Sequence, residues 1–236
     1  MRFFHAGCFK YYLNLYFCAP INAENIRYVS KKYYIIDFDS TFTQVEALDE
    51  LARISLREHP DRELIYQKIA DLTNQAMEGK LSFRESLAGR VQLLEAGKDH
   101  LKQLVKHLKK QVSTSFSRNK RFFKHHADDV LIVSGGFKEF ITPVVLPFHI
   151  KKENIYANTF VFNKEGKIIG FDAANPLSDE GGKVKLLQEL QLQGEIHGIG
   201  DGYSDFQLKE SGVIRKFYAF TENIERKAVT ERADHI

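Results

Sequence analysis

The sequence predicts an α/β protein in which helices cover both faces of a parallel sheet, with a helical insert after the first strand. Short apolar runs alternate with segments of helical period, the pattern of an αβα layered fold. About a hundred residues separate the first two apolar runs, far more than the dozen or so that one crossover needs. The 236 residues, 43% of them hydrophobic, suffice for one core with such an insert.

Four apolar runs are the predicted strands, at residues 33–36, 130–133, 196–199 and 217–220. Three of the four are followed by a helical pattern. Ligands of such folds bind at the carboxyl ends of the strands, so these ends are where we expect the chemistry. Residues 156–162 and 167–171 flank Asn-Lys-Glu-Gly and predict a hairpin.

Helical periodicity fills the gap after the first strand. Two apolar stripes lie there, Val45, Leu48, Leu51 and Ile54, then Leu64, Ile65, Ile69 and Leu72. A third helix has a capping box at Ser82 and Glu85, and we expect it to end at Gly97. The predicted division is therefore a poorly ordered leader (1–30), a core (31–44 and 112–236) and a helical cap (45–111).

Both cysteines, Cys8 and Cys18, lie in the leader, which excludes a disulfide framework or Cys-based metal site from the main body and indicates a reducing, cytoplasmic setting. The leader is rich in aromatic residues, as a secretory signal can be, but Lys10 and Asn14 interrupt it. A cleaved signal and an unstructured or misassigned leader are both open interpretations. No stretch reaches the roughly eighteen apolar residues of a membrane helix.

The net charge of +3 comes from one segment. Residues 98–126 hold nine Lys and Arg against one Asp, which leaves +3 − 8 = −5 for the rest of the chain. This distribution excludes a uniformly basic nucleic-acid surface, and we expect no nucleic-acid or membrane partner. A solvated helix face is the favoured interpretation of the segment, and an acidic or nucleic-acid partner is the alternative.

Two acidic pairs follow predicted strands. Asp37 and Asp39, in Asp-Phe-Asp-Ser-Thr, project to the same side of an extended chain, where their charges repel unless a cation is present. Asp201 and Asp205, in Gly-Asp-Gly-Tyr-Ser-Asp, supply a second pair, and oxygen ligands from two strands suit Mg²⁺. Taken singly, each motif is also compatible with an ordinary acidic turn.

Two further segments indicate anion binding. Ser134, Gly135 and Gly136 precede a predicted helix, where a hydroxyl and backbone N–H groups can bind phosphate. Lys183 opens a later helix and can supply a fixed positive charge, or else it is a solvated surface lysine.

The four segments are, in chain order, the acidic motif at Asp37, the segment at Ser134, the helix start at Lys183 and the acidic motif at Asp201. Each lies at the end of a predicted strand or the start of a predicted helix. In this order the chain from Tyr33 to Ile236 resembles the haloacid dehalogenase (HAD) superfamily. The resemblance implies a HAD-like, Rossmann-type three-layer αβα core and a Mg²⁺-dependent phosphomonoester hydrolase. Asp37 is then the nucleophile that forms an aspartyl-phosphate, and Asp39 is the general acid and base. The implied Mg²⁺ ligands are the side chains of Asp37 and Asp201 and the carbonyl of Asp39.

The resemblance also implies supporting roles. Ser134, Gly135 and Lys183 hold the phosphoryl oxygens, and Asp205 orients the ligands of the metal. The superfamily usually has Asn where this chain has Ser204, so the hydrogen bond to the phosphate region is lost, replaced by water or supplied by Tyr203.

The insert resembles the cap of the phosphoserine phosphatase family, with residues 77–83, Arg90 and Glu46 as the matching positions. Independently of that likeness, Arg90 shares an apolar helix face with Phe83, where removing a charge from water is energetically unfavourable. It either extends its charge to solvent or pairs with a Glu, or it binds a substrate carboxylate while Glu46 binds an ammonium group.

A phosphorylated amino acid is a small molecule that carries all three charged groups that such a site requires, namely phosphate, carboxylate and ammonium. Phosphoserine is the simplest such molecule. Phe83 and Met77 would shield the closed site from water. A related phosphatase or phosphotransferase is the alternative. A phosphate-accepting regulatory module is disfavoured, since receiver domains are about half this length and lack a helical insert.

Overall fold

The computed structural model describes residues 31–77 and 80–236, without the side chain of Met77. The predicted leader and the predicted shielding role of Met77 therefore lie outside the described residues. Among the described residues, no helix is long and apolar enough to cross a membrane.

In the described part of the chain, one parallel sheet consists of five strands: β1 (Lys32–Ile36), β2 (Val130–Phe137), β3 (Ile155–Asn158), β6 (Glu195–Gly200) and β7 (Lys216–Ala219). Their order in the sheet is β3-β2-β1-β6-β7, which places β1 at its centre. A separate antiparallel hairpin consists of β4 (Phe160–Phe162) and β5 (Ile168–Phe171).

Helices occupy most of the connections. They are α1 (Ala47–Ser55), α2 (Arg62–Met77), α3 (Phe83–Leu93), α4 (Lys98–Leu108), α5 (Thr114–Arg118), α6 (Lys120–His125), α7 (Lys138–Val145), α8 (Gly182–Leu190), α9 (Tyr203–Glu210) and α10 (Lys227–Thr230). Short 3₁₀ turns lie at Leu146–Phe148, Lys152–Asn154 and Pro176–Ser178.

Successive residues of the central strands face opposite sides of the sheet, as the period of a strand requires. Ile36 and Ile132 pack into one hydrophobic cluster with α7 and the inserted helices. Ile35 and Leu131 pack into a second cluster with α8 and α9. Because apolar side chains cover both faces, the predicted three-layer αβα core is confirmed.

The helices α1 to α4 lie between β1 and β2, which confirms the predicted helical insert. The chain leaves and re-enters the core side by side, since Thr43 forms an antiparallel bridge with Val112 and the Gln44 N–H donates to Gln111 O at 2.8 Å. The capping box predicted at Ser82 and Glu85 is present at the start of α3.

The predicted end of α3 at Gly97 is wrong. The helix ends at Leu93, and the left-handed residue after it is Glu95, with φ 44°. Gly97 is instead the N-cap of α4. A Cβ at Gly97 would lie 2.9 Å from Gly166 O, so this glycine permits close approach of the hairpin turn.

The predicted hairpin is correct only in part. Residues 160–162 pair with 168–171, but residues 155–158 form β3 and pair with β2 in the main sheet. Ile155 and Ala157 are buried in the core, so burial assigns this end of the apolar run to the parallel sheet.

Candidate active site

Asp37 follows β1 directly, at the centre of the carboxyl edge of the sheet. Its N–H donates to Ile199 O at 3.0 Å, which ties it to the neighbouring strand β6. The next residues, Phe38–Phe42, make one wide turn in which Ser40 has φ 50°, a left-handed conformation uncommon for a residue with a Cβ. This turn places Asp39 beside Asp37 while its Oδ1 accepts the N–H of Ala47 at 2.8 Å.

The acidic pair after β6 lies against this turn. Asp201 Oδ1 accepts the hydroxyl of Thr41 at 2.9 Å, and both Asp201 and Asp205 are buried. A Cβ at Gly200 would lie 2.2 Å from Asp205 Cγ, so a side chain there would displace Asp205. The two predicted acidic motifs therefore meet, as their positions at neighbouring strand ends predict.

Lys183 is buried, with 8% of its surface exposed, which excludes the solvated surface alternative. Its Nζ lies 2.8 Å from Asp37 Oδ1 and 2.6 Å from Asp205 Oδ1. The second of these contacts is a hydrogen bond. Lys183 is thus the positive charge between two carboxylates of the site.

Burial sets the protonation of these groups. Burial raises the pKa of Asp205 to about 7, with a further contribution from the charge of Asp37. Burial and the charge of Glu46 hold the pKa of Asp39 well above its usual range. Burial would by itself lower the pKa of Lys183, but the charges of Asp205 and Asp37 outweigh it and raise that pKa. The carboxylates are therefore costly to ionise together without a further cation.

Asp37, Asp201 and Asp205 fit a metal ion. Each offers one carboxylate oxygen, and these atoms lie within 4.8 Å of one another. Asp37 Oδ1 is buried, and the polar group that it contacts is Lys183 Nζ at 2.8 Å. Such an atom is available as a ligand, and an all-oxygen set of donors suits a hard divalent cation.

The predicted phosphate-binding segment is brought to the same place. Ser134 is buried, and its Oγ accepts the N–H of Gly136 at 2.9 Å. A Cβ at Gly136 would lie 3.1 Å from Asp39 Oδ2, so the segment passes directly beside the predicted general acid. A Cβ at Gly135 would lie 3.0 Å from the ring of Phe83, which places this cap residue over the segment.

Two charged residues from the inserted helices also reach the site. Glu46 Oε1 accepts the hydroxyl of Ser40 at 2.6 Å, and burial raises the pKa of Glu46. Arg90 Nε is buried without a hydrogen-bond partner. Burial lowers the pKa of Arg90, and the negative charges of Asp49, Glu46 and Asp39 oppose that shift.

The family model of haloacid dehalogenase-like hydrolases matches residues 35–210, which is most of the chain. The chain belongs to the haloacid dehalogenase-like hydrolases. The match spans all four segments on which the resemblance rested, from the turn after β1 to the end of α9.

Named relatives of this hydrolase agree on one activity. The chloroplastic phosphoserine phosphatase of Arabidopsis thaliana is 30% identical to this chain. The matched region covers 84% of this chain and 65% of the plant protein. Phosphoserine phosphatase of Bos taurus is 29% identical, covering 84% of this chain and 85% of its own length.

A solved structure of a phosphoserine phosphohydrolase-like protein from Francisella tularensis is also similar to this hydrolase, with a TM-score of 0.75 and 31% identity. The superposed region covers 86% of this chain and 94% of the Francisella chain.

The fourth motif of this hydrolase differs from expectation in its polar side chains. Tyr203 donates its hydroxyl to Glu210 at 2.9 Å and is half exposed, so it does not supply the hydrogen bond toward phosphate. Ser204 is exposed at the start of α9.

Sequence reasoning missed two residues of the site. Arg226 Nε donates to Asp201 Oδ2 at 3.1 Å, and Asn158 Nδ2 donates to the carbonyl of Gly135 at 2.8 Å. Neither has a local pattern that indicates its role, because Asn158 at the end of β3 and Arg226 before α10 lie far along the chain from their partners. Thr41 was visible in the first motif, but its bond to Asp201 was not foreseen.

Proposed function

We propose that this hydrolase is a Mg²⁺-dependent phosphoserine phosphatase, which converts O-phospho-L-serine and water to L-serine and phosphate. The activity for which its relatives are named supports this substrate. On this proposal the chain carries out the last step of serine biosynthesis. The absence of cysteine from residues 31–236 supports a cytoplasmic location, which fractionation of cells would test.

The observation that carries the proposal is the buried, unpartnered Nε of Arg90 beside the acidic cluster. A buried N–H donor without an acceptor is costly, and a substrate carboxylate would supply the missing acceptor. Glu46, whose carboxylate accepts the hydroxyl of Ser40 at the same turn, would bind the ammonium group of the same molecule. A phosphorylated amino acid therefore satisfies both residues at once.

The residues of the core would carry out hydrolysis in two steps. A carboxylate oxygen of Asp37 attacks phosphorus, and the bond from phosphorus to the serine oxygen breaks as Asp39 donates a proton to that oxygen. The raised pKa of Asp39 supports this role, because burial and the charge of Glu46 favour the protonated form that donates. Water then attacks the aspartyl-phosphate, Asp39 takes its proton, and phosphate leaves.

The remaining polar groups would bind and orient the phosphoryl group. Lys183, Ser134 and the backbone of Gly135 hold its oxygens, and Phe83 excludes water from above. Asp37, Asp201 and the carbonyl of Asp39 would hold Mg²⁺, which when bound neutralises charge on the nucleophile and the phosphate. Asp205 would orient this set, since its two oxygens accept hydrogen bonds from Lys183 and from the N–H of Gly202.

We assign the core to residues 31–44 and 112–236 and the cap to residues 45–111. The bridge between Thr43 and Val112 supports boundaries at this point. In this assignment the cap supplies Glu46, Phe83 and Arg90, and the core supplies the residues that contact phosphate.

A panel of phosphate esters tests the proposal. Phosphoethanolamine lacks the carboxylate, and 3-phosphoglycerate lacks the amine, so each removes one partner of the cap. We expect phosphate release from O-phospho-L-serine with Mg²⁺, none with EDTA, and kcat/KM at least about a hundredfold lower for either analogue. Equal rates for all three esters would reject the substrate, and activity that survives Asp37→Asn would reject the mechanism.

A further inference from the structure

The loop after β7 reaches both chain segments that join the core to the inserted helices. In this loop Asn223 is half-buried, and its Nδ2 donates to the carbonyl of Ser40 at 3.0 Å and to the hydroxyl oxygen of Ser113 at 2.7 Å. Ser40 belongs to the outgoing segment after β1, and Ser113 to the returning segment after α4. One amide therefore links the two segments.

The neighbouring residue holds the same returning segment. Glu222 accepts the N–H of Thr114 at 2.6 Å and the N–H of Ser115 at 3.1 Å. Burial raises the pKa of Glu222, but these bonds outweigh it and lower the pKa, which keeps the carboxylate ionised and able to accept them. The loop is thus fixed in place while Asn223 makes its contacts.

Ser113 completes a closed set of hydrogen bonds. Its buried hydroxyl donates to the carbonyl of Thr41 at 2.6 Å while accepting from Asn223. Its N–H donates to Phe42 O at 3.0 Å. The carbonyls of Ser40 and Thr41 are therefore held from one side by Asn223 and Ser113.

These two carbonyls flank the reacting groups. Ser40 follows Asp39 and is held in a left-handed conformation, φ 50°, that a residue with a Cβ adopts only under constraint. Thr41 donates to Asp201 Oδ1. A small rotation of the Ser40 peptide would displace Asp39 and loosen Thr41 from Asp201.

We propose that Asn223 is a positioning residue, which fixes the strained turn at Asp39–Thr41 through the carbonyl of Ser40. This inference rests on the proposed phosphatase function for its kinetic consequence alone. The amide contacts no group that we assign to substrate binding, so its loss is expected to slow the chemical step and leave binding unchanged.

The test compares Asn223→Ala and Asn223→Asp with Asn154→Ala and Asn154→Asp. The Asp variants keep the shape of the side chain and remove its N–H donors. Asn154 is a matched control, since it is also half-buried and its Nδ2 donates to Val130 O at 3.1 Å, beside the opposite end of the sheet.

For both Asn223 variants we expect kcat on phosphoserine to fall at least about tenfold, with KM within about twofold of the wild type. Hydrogen exchange at residues 38–45 should also become faster in the Asn223 variants and stay unchanged in the Asn154 variants. Either Asn223 variant, if folded, suffices for this comparison.

The proposal is overturned if kcat in the Asn223 variants matches the Asn154 variants, if KM rises as much as kcat falls, or if exchange at residues 38–45 is unchanged. A wild-type protein that leaves phosphoserine intact would instead reject the proposed substrate. Exchange, and kcat on whichever ester the wild type hydrolyses, would then decide the role of Asn223.

Discussion

Lys183 is the buried residue around which the carboxylates of the site are arranged. It contacts Asp37 and Asp205 at once, and both carboxylates would be buried without a counter-charge if it were removed. Removing one partner of a buried ion pair destabilises a protein by about 3–5 kcal/mol, more than forming the pair contributes. The lysine thus allows the acidic groups to be buried in the fold.

Lys183→Met is therefore expected to lower the free energy of unfolding by roughly 3 kcal/mol in EDTA and to lower kcat at least about a hundredfold. Urea denaturation and phosphate release measure the two effects. Lys185→Met, on the same helix and exposed, is the control and should change neither. A Lys183→Met protein with normal turnover would show that this lysine does not contact the phosphoryl group.

On the proposed function, Arg90 selects the substrate by binding its carboxylate. In Arg90→Lys the positive charge remains, but the planar set of donors that matches a carboxylate is lost. KM for phosphoserine should rise by at least about tenfold, while kcat/KM for phosphoethanolamine, which has no carboxylate, stays within about twofold. Arg53→Lys, an exposed arginine on α1, is the control. Equal losses on both esters would mean that Arg90 holds the cap together and does not select the substrate.

The sequence was sufficient to predict the residues that share a motif, but not those that meet them from elsewhere. Asp37, Asp39 and Asp201 follow predicted strands, and parallel strands bring their carboxyl ends to one edge. Arg226 and Asn158 reach the same edge from separate connections, and only the packed chain shows that they do. Tyr203 is the opposite case. It belongs to a motif, but its place in the motif does not indicate that its hydroxyl donates to Glu210.

The helix α3 provides one of the contacts between the proposed cap and the proposed core. Phe83 lies over Gly135, and Arg84 reaches past it to the core, donating to Ala173 O at 2.8 Å and to Asp179 Oδ2 at 3.2 Å. The capping box at Ser82 and Glu85 fixes the start of this helix. The direction of Arg84 therefore depends on how the helix begins.

The pair of Arg84 and Asp179 is exposed, and such pairs contribute about 0.2–1 kcal/mol. If the pair holds the cap closed, Arg84→Ala should raise KM for phosphoserine by about two- to fivefold with kcat nearly unchanged, because less of the protein is competent to bind. Asp179→Ala should do the same to a smaller extent, since it leaves the bond from Arg84 to Ala173.

The double variant should resemble Arg84→Ala alone, as expected of one shared interaction. Arg62→Ala removes an exposed pair with Glu63 inside α2 and should leave KM unchanged. Additive effects of Arg84→Ala and Asp179→Ala would contradict a shared contact between cap and core.

The elements themselves were predictable where periodicity and burial agree. The buried faces of α1 and α4 follow the helical period of their apolar residues. The strand β3 was assigned to a hairpin because its apolar residues run on toward Phe162, and nothing local marks Asn158 as the point where the chain leaves the main sheet. Tertiary contacts decide such a boundary.

The basic residues of the 98–126 segment lie on the protein surface, whereas the carboxylates of the site are shielded from water. The nine Lys and Arg of residues 98–126 are all exposed, as a solvated face predicts. The carboxylate of Asp205 is instead buried at the carboxyl edge of the sheet, and those of Asp37 and Asp39 are partly buried there. Burial raises the pKa of each. The net charge therefore carries no information about the site.

This separation predicts an unusual dependence of stability on pH. A carboxyl group whose pKa is higher in the folded than in the unfolded protein binds more protons when folded, so its contribution to stability is present below the unfolded pKa and is lost as pH rises through the folded pKa. For Asp205 that interval runs from the ordinary value of 3.8 to about 7. Exposed carboxylates with a lowered pKa, such as those of Asp99 and Asp128, change the stability in the opposite direction. They do so only at pH values below this interval.

In EDTA, the temperature of unfolding is therefore expected to fall by several degrees between about pH 5 and about pH 7.5. Millimolar Mg²⁺ should remove most of this fall, because a bound cation stabilises the ionised carboxylates. Asp205→Asn, which cannot titrate, should show a flatter profile in EDTA than the wild type. A wild-type protein that becomes more stable toward pH 7.5 in EDTA would contradict the raised pKa of Asp205, and a fall that persists in Mg²⁺ would mean that the acidic cluster does not hold the ion.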